Sequence, residues 1–227
     1  MISSISFLLT LAVTAVAIPF LIKMAFQLHI LDMPDGARKI HRAATPLLGG
    51  IGIYLGILAG LLPNASQLVS IWPILAGGTL IMILGLADDI KHLSARFRIA
   101  CQLFIALGLI SCGYRIEFLP NTAWGDVIEI CITLIWILGV TNAYNYLDGL
   151  DGLCAGSAVI NAGFFAIILF KAGQYPISLL TIIFAAACLG FLPYNFRKRK
   201  KMFLGDAGST FIGFILASIA LAGNWAE

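Results

Sequence analysis

Long apolar runs broken by short polar stretches dominate the chain, and their length decides the element type. Runs of about 17–25 residues recur near 3–28, 47–63, 71–87, 97–114, 124–141, 153–170, 177–194 and 209–224, each long enough to cross a bilayer as a helix. Strand-like alternation of apolar and polar positions is absent. The pattern therefore predicts an all-α, polytopic membrane helical bundle of about eight transmembrane helices rather than a barrel. The opening run has no basic residue before its apolar core and is too long for a signal peptide, so it reads as a retained helix. In the second run Gly52, Gly56 and Gly60 repeat at four-residue spacing, which predicts close helix packing.

Composition agrees with that pattern. Of 227 residues, 60% are hydrophobic and 11% charged, and the mean hydropathy of +0.99 lies outside the range of soluble globular domains. The charges set the topology. With the N-terminus outside, the inside segments hold Lys23, Arg38, Lys39, Arg42, Lys91, Arg96, Arg98 and the run Arg197 to Lys201, leaving Arg115 and Lys171 outside. That is a strong positive-inside signal. The acids sort with it: Asp32, Asp35, Asp88, Asp89, Asp148, Asp151 and Asp206 fall inside, and Glu117, Asp126, Glu129 and Glu227 outside. The five cysteines are scattered without metal or disulfide spacing, so they read as small hydrophobes. The net charge of +3 belongs to the inside loops and gives no reason to expect a nucleic-acid partner.

Chemistry concentrates where the apolar runs stop. Asn142 to Leu153 reads N-A-Y-N-Y-L-D-G-L-D-G-L. A step of three turns 300° on a helix, so Asn142, Asn145, Asp148 and Asp151 would fan around a continuous helix rather than share a stripe. Gly149 and Gly152 predict that the helix loosens here and lets the polar groups converge. Asp88 and Asp89 end the third run, where an adjacent acidic pair demands positive charge nearby, from Lys91, Arg96, Arg98 or a bound cation. Gln102 is a polar interruption of the fourth run. In the first inside loop, Arg38, Lys39, His41 and Arg42 suit either a topology anchor or a diphosphate site. Gly205, Asp206, Gly208 and Ser209 open the last run, and glycines around an Asp at a helix N-terminus suggest a close backbone approach to a phosphate or metal.

Asp88, Asp89, Asp148, Asp151 and Asp206 come from three separate segments, yet the topology places all five at one membrane face. Unpaired near hydrocarbon, they would cost on the order of 10 kcal/mol together. A divalent cation relieves this, and an all-oxygen donor set without a Cys or His cluster points to Mg²⁺, with Mn²⁺ as the other candidate. The substrate expected beside such an ion is a phosphate or diphosphate ester.

These motifs carry a resemblance. Asp88 and Asp89, the N-x-x-N-x-x-D-G-x-D-G-L stretch at 142–153, F-L-G-D-x-G-S at 203–209 and R-K-x-H…P…G-G at 38–50 stand in the order found in the polyprenyl-phosphate N-acetylhexosamine-1-phosphate transferases. That superfamily includes the enzymes that initiate O-antigen, enterobacterial common antigen and teichoic acid linkage synthesis. It also includes phospho-MurNAc-pentapeptide translocase. The resemblance implies Mg²⁺-dependent transfer of a sugar 1-phosphate from a UDP-sugar to undecaprenyl phosphate with release of UMP, at the cytoplasmic face of the inner membrane. It implies catalytic roles for Asp88, Asp89, Asp148 and Asp151, metal contacts from Asp206, Asp148 and Asp151, and substrate contacts from Lys39, His41, Arg98, Asn142 and Asn145. Membrane lipid and a second copy in a homodimer complete the expected partners. Family members usually continue through two or three more helices with an H-x-H-H loop, whereas the histidines here are His29, His41 and His92. The reading is thus one transferase domain over 1–227 lacking those C-terminal helices. An ion-coupled transporter and an inactive relative are the competing classes.

Overall fold

The computed structural model describes residues 2–34, 44–197 and 200–225. Its described residues form eight α-helices: α1 (Ile2–Leu28), α2 (Gly49–Leu61), α3 (Leu68–Lys91), α4 (Ala95–Ser111), α5 (Ala123–Leu147), α6 (Leu153–Lys171), α7 (Tyr175–Asn195) and α8 (Gly205–Ala222). Each covers one predicted run with its ends shifted by up to six residues, the largest shift being the end of α5, which runs past 141 to Leu147. Six stretches are long and apolar enough to cross a membrane, with α2 and α3 counted together as Gly49–Lys91 because a 3₁₀ turn joins them. The 17-residue α4, which carries Arg96 and Arg98, is not among them. Among the described residues the only strands are a two-residue antiparallel pair, β1 (Leu31–Asp32) with β2 (Thr45–Pro46), after α1.

The bundle is built around α8, whose residues from Ala207 to Ile219 are all buried. Helices α3 and α5 pack on it most extensively, with α2 and α6 completing the ring, while α1 and α7 close the far side of α2. Small residues set these approaches, as packing without a hydrophobic drive between helices requires. The Gly52, Gly56 and Gly60 stripe lies on Ile18, Thr14 and Thr10 of α1, and a Cβ added to Gly50 would strike the backbone of Gly208 on α8.

Caps and turns bring the polar segments to one end. Ser94 and Thr122 cap α4 and α5, accepting hydrogen bonds from Phe97 N–H (3.3 Å) and Gly125 N–H (3.1 Å). Helix α5 stops at Leu147, and the chain turns through Gly152, whose φ of +74° is a left-handed conformation, before α6 begins. The end of α3, the start of α4, the end of α5 and the start of α8 meet through hydrogen bonds to Asp206 or Asp89. The N-terminal part of α1 lies at the opposite end, where Asn64 donates to Ser6.

Candidate active site

The five aspartates singled out by sequence do converge. Asp88, Asp89, Asp148, Asp151 and Asp206 all line one cleft of about 790 Å³ at the end of the bundle, with Asp32, His92, Lys201 and Phe203 also in its wall. Helix α3 delivers its acids at its C-terminus, the α5–α6 turn delivers the middle pair, and the first turn of α8 delivers Asp206.

Four of the five are held by partners. Asp88 is buried; its Oδ2 accepts from Arg98 Nη1 at 2.5 Å and its Oδ1 from Leu93 N–H at 2.7 Å. The same Arg98 nitrogen reaches Asp206 Oδ2 at 3.4 Å, while Asn145 Nδ2 donates to Asp206 Oδ1 at 2.7 Å and to Ser209 Oγ at 3.0 Å. Asp89 turns to the N-terminus of α8, accepting from Asp206 N–H (2.8 Å) and Ala207 N–H (3.1 Å). It thereby satisfies two of that helix's open donors and complements its dipole. Asp151 pairs with Lys201, whose ammonium also lies 4.9 Å from the Phe203 ring centre.

Asp148 is the exception. Its N–H closes the last turn of α5 on the Asn145 carbonyl at 3.4 Å, but its carboxylate has no hydrogen bond or ion pair among the described residues. Burial pushes its carboxyl well above the usual carboxylate range, and the neighbouring charges of Asp206, Asp89 and Asp151 push it further. A carboxylate without a partner, facing other acids across a cleft, calls for a cation. The donor set fits a hydrated divalent ion: it is all oxygen, and among the described residues no three His, Cys, Asp or Glu side chains cluster closely enough to enclose a metal. Mg²⁺ characteristically takes one or two carboxylates and completes its shell with water or phosphate oxygens. The residues of the expected set, Asp148, Asp151 and Asp206, all face this cleft, with Asp151 paired with Lys201 and Asp206 held by Arg98 and Asn145.

Other expectations shift as well. Lys39 and His41 lie outside the described residues. Asn142 donates to Gln102 Oε1 at 2.8 Å and to the Leu138 carbonyl at 2.8 Å. The glycines around Asp206 do not open the α8 N-terminus to a ligand: Gly205 abuts Asp89 and the Leu47 carbonyl, and Gly208 abuts Gly50. Asp89 occupies the place proposed for an external anion.

Two side chains matter here that sequence reasoning left without a role. Buried Asn195 accepts from Gly152 N–H at 2.5 Å and donates to the Met202 carbonyl at 3.0 Å, tying the acidic turn to the segment before α8. Its signal was its place as the polar residue directly after the seventh run. Gln102 is the other, 4% exposed.

A helical membrane bundle with an acidic cleft at one end of its helices defines the class. The chain belongs to glycosyl transferase family 4, whose family model matches residues 71–224. It is 33% identical over 225 residues to a probable undecaprenyl-phosphate N-acetylglucosaminyl 1-phosphate transferase of Bacillus subtilis, covering 96% of this chain and 62% of that protein. It is 36% identical over 208 residues to the decaprenyl-phosphate N-acetylglucosaminephosphotransferase of Mycobacterium tuberculosis, covering 80% of this chain and 50% of that one. A phospho-N-acetylmuramoyl-pentapeptide-transferase of Geobacillus thermodenitrificans is 30% identical over 243 residues, with 96% and 73% covered. The chain thus spans between half and three quarters of the length of these relatives.

Proposed function

We propose that this chain carries the acidic site of a transferase that moves an N-acetylhexosamine 1-phosphate from a UDP-sugar to undecaprenyl phosphate, releasing UMP at the cytoplasmic face of the inner membrane. The observation that carries the reading is the convergence of Asp88, Asp148 and Asp206 on one cleft, where the Asp148 carboxylate has no partner among the described residues. The names of the relatives favour this reaction class.

In the proposed reaction a phosphate oxygen of the lipid attacks the β-phosphorus of the nucleotide sugar, and the bond to the UMP oxygen breaks. A monoester phosphate has its second pKa near about 6, so the nucleophile is largely deprotonated at neutral pH and positioning outweighs general-base help. Asp148 and Asp206 would hold Mg²⁺, which when bound supplies positive charge to the diphosphate. Arg98 keeps Asp88 and Asp206 in register, and Asn145 fixes the orientation of the Asp206 carboxylate. Lys201, anchored by Asp151, adds positive charge at the cleft wall.

The test uses membranes from cells producing the full-length protein, undecaprenyl phosphate and radiolabelled UDP-N-acetylhexosamine. Label passing into the lipid phase with Mg²⁺, and staying in water with EDTA or in Asp206→Ala, is the expected result. Label accumulating inside sealed vesicles without a lipid product would replace the transferase with a transporter.

A further inference from the structure

Between α4 and α5, on the membrane side of the carboxylates, lies a small polar cavity of about 10 Å³ lined by Asp88, Arg98, Gln102, Asn142, Asn145 and Asp206, among others. Two rungs cross it. The outer rung runs from Arg98 on α4 to Asp206 and on to Asn145 of α5. The inner rung is the 2.8 Å hydrogen bond from Asn142 Nδ2 to Gln102 Oε1. Arg98 and Gln102 are four residues apart on α4, and Asn142 and Asn145 three apart on α5, so the rungs stack about one helical turn from each other. Asp88 and Asp206 line both this cavity and the large cleft.

The buried residues of α4 are Gln102, Ile105, Ala106 and Leu109, and Gln102 is the one polar side chain among them. Apolar contacts resist sliding weakly because neighbouring rotations bury similar area, whereas a hydrogen bond in a low-dielectric seam has one geometry. Arg98 is 35% exposed at the side chain, and it is the one cation that reaches both Asp88 and Asp206 among the described residues.

We infer that Gln102 is a positioning residue: through Asn142 it sets the rotation and depth of α4, and so places the Arg98 guanidinium between Asp88 and Asp206. The inference deepens the proposed reaction and rests on it for its kinetic readout. It has a second readout that does not.

In the full-length protein, Gln102→Leu lowers kcat about tenfold with KM changed less than about twofold, as expected when a group misplaced by a fraction of an ångström weakens the transition state more than binding. The exchanged pair Gln102→Asn with Asn142→Gln keeps the combined side-chain length and restores kcat to within about threefold of the parent. A Gln102→Leu enzyme with parental kcat, or a folded exchanged pair as slow as Gln102→Leu, overturns the inference; if Gln102→Leu alone does not survive extraction, the exchanged pair decides. The readout independent of transfer is a thermal double-mutant cycle in detergent. Gln102→Leu and Arg98→Met must fail to add, because each removes what the other supports. Additive shifts overturn the inference even if the protein transfers no sugar phosphate. No transfer by the parent, with non-additive shifts, instead removes the proposed reaction and leaves the positioning role standing.

Discussion

The two ends of the bundle use acidic side chains in opposite ways. At the end bearing the α4–α5 connection, Glu129 is buried and accepts two backbone hydrogen bonds at 2.7 Å, from Phe118 and Leu119, and Arg115 pairs with Glu117 at 2.8 Å and Asp126 at 3.3 Å. Each of these three acids has its partner within reach, so the cluster closes on itself and secures a loop. At the other end five aspartates meet Arg98, Lys201 and one helix N-terminus, and among the described residues the Asp148 carboxylate is left over. A carboxylate that has its donor secures the fold, and one with no donor among the described residues marks a place for something that binds.

Four substitutions test that contrast. Asp206→Ala should cut label transfer at least about a thousandfold, since it removes a carboxylate shared by the metal pair and Arg98; residual turnover near the parent would detach Asp206 from the chemistry. Asp148→Asn should lower kcat about a hundredfold while making the protein more heat-stable in EDTA. The sign follows from the raised carboxyl. Below the ordinary Asp value of about 4 the group is protonated in both folded and unfolded chains and costs nothing, and above it the folded state carries a cost that the amide avoids. The midpoint gain should therefore be about 2–4 °C at pH 8 and vanish toward pH 4, followed by intrinsic fluorescence in detergent. Glu129→Ala should do the reverse, lowering the midpoint by about 4–8 °C with kcat unchanged, because it strands two backbone donors and touches no substrate. Smallest of all, Arg115→Gln should shift the midpoint by less than about 2 °C, as befits an exposed pair.

The helices were legible because run length and apolarity are local properties: all eight runs are helical, and six stretches among the described residues have the length and apolarity of a membrane span. The gathering of Asp88, Asp148 and Asp206 was also legible, since topology alone puts alternate helix ends on one face. What each carboxylate does there was not. Asp89 differs from Asp88 by one residue, yet it points to α8 rather than to Arg98, a choice made by helix rotation and not by residue type. The glycines beside Asp206 carried an ambiguous signal: the residue that admits a phosphate also admits another helix, and Gly208 meets Gly50. Gln102 stood out as polar, but its partner lies 40 residues away on another helix.

The capping of α8 by Asp89 has a consequence for how the protein is made. Helix α3 leaves the ribosome well before α8, so Asp89 must wait with its charge unanswered until the eighth helix arrives and offers its amide groups. The acidic cleft therefore comes into being only with the last of these helices to be inserted, and a nascent chain halted before α8 holds the residues of the site without the site.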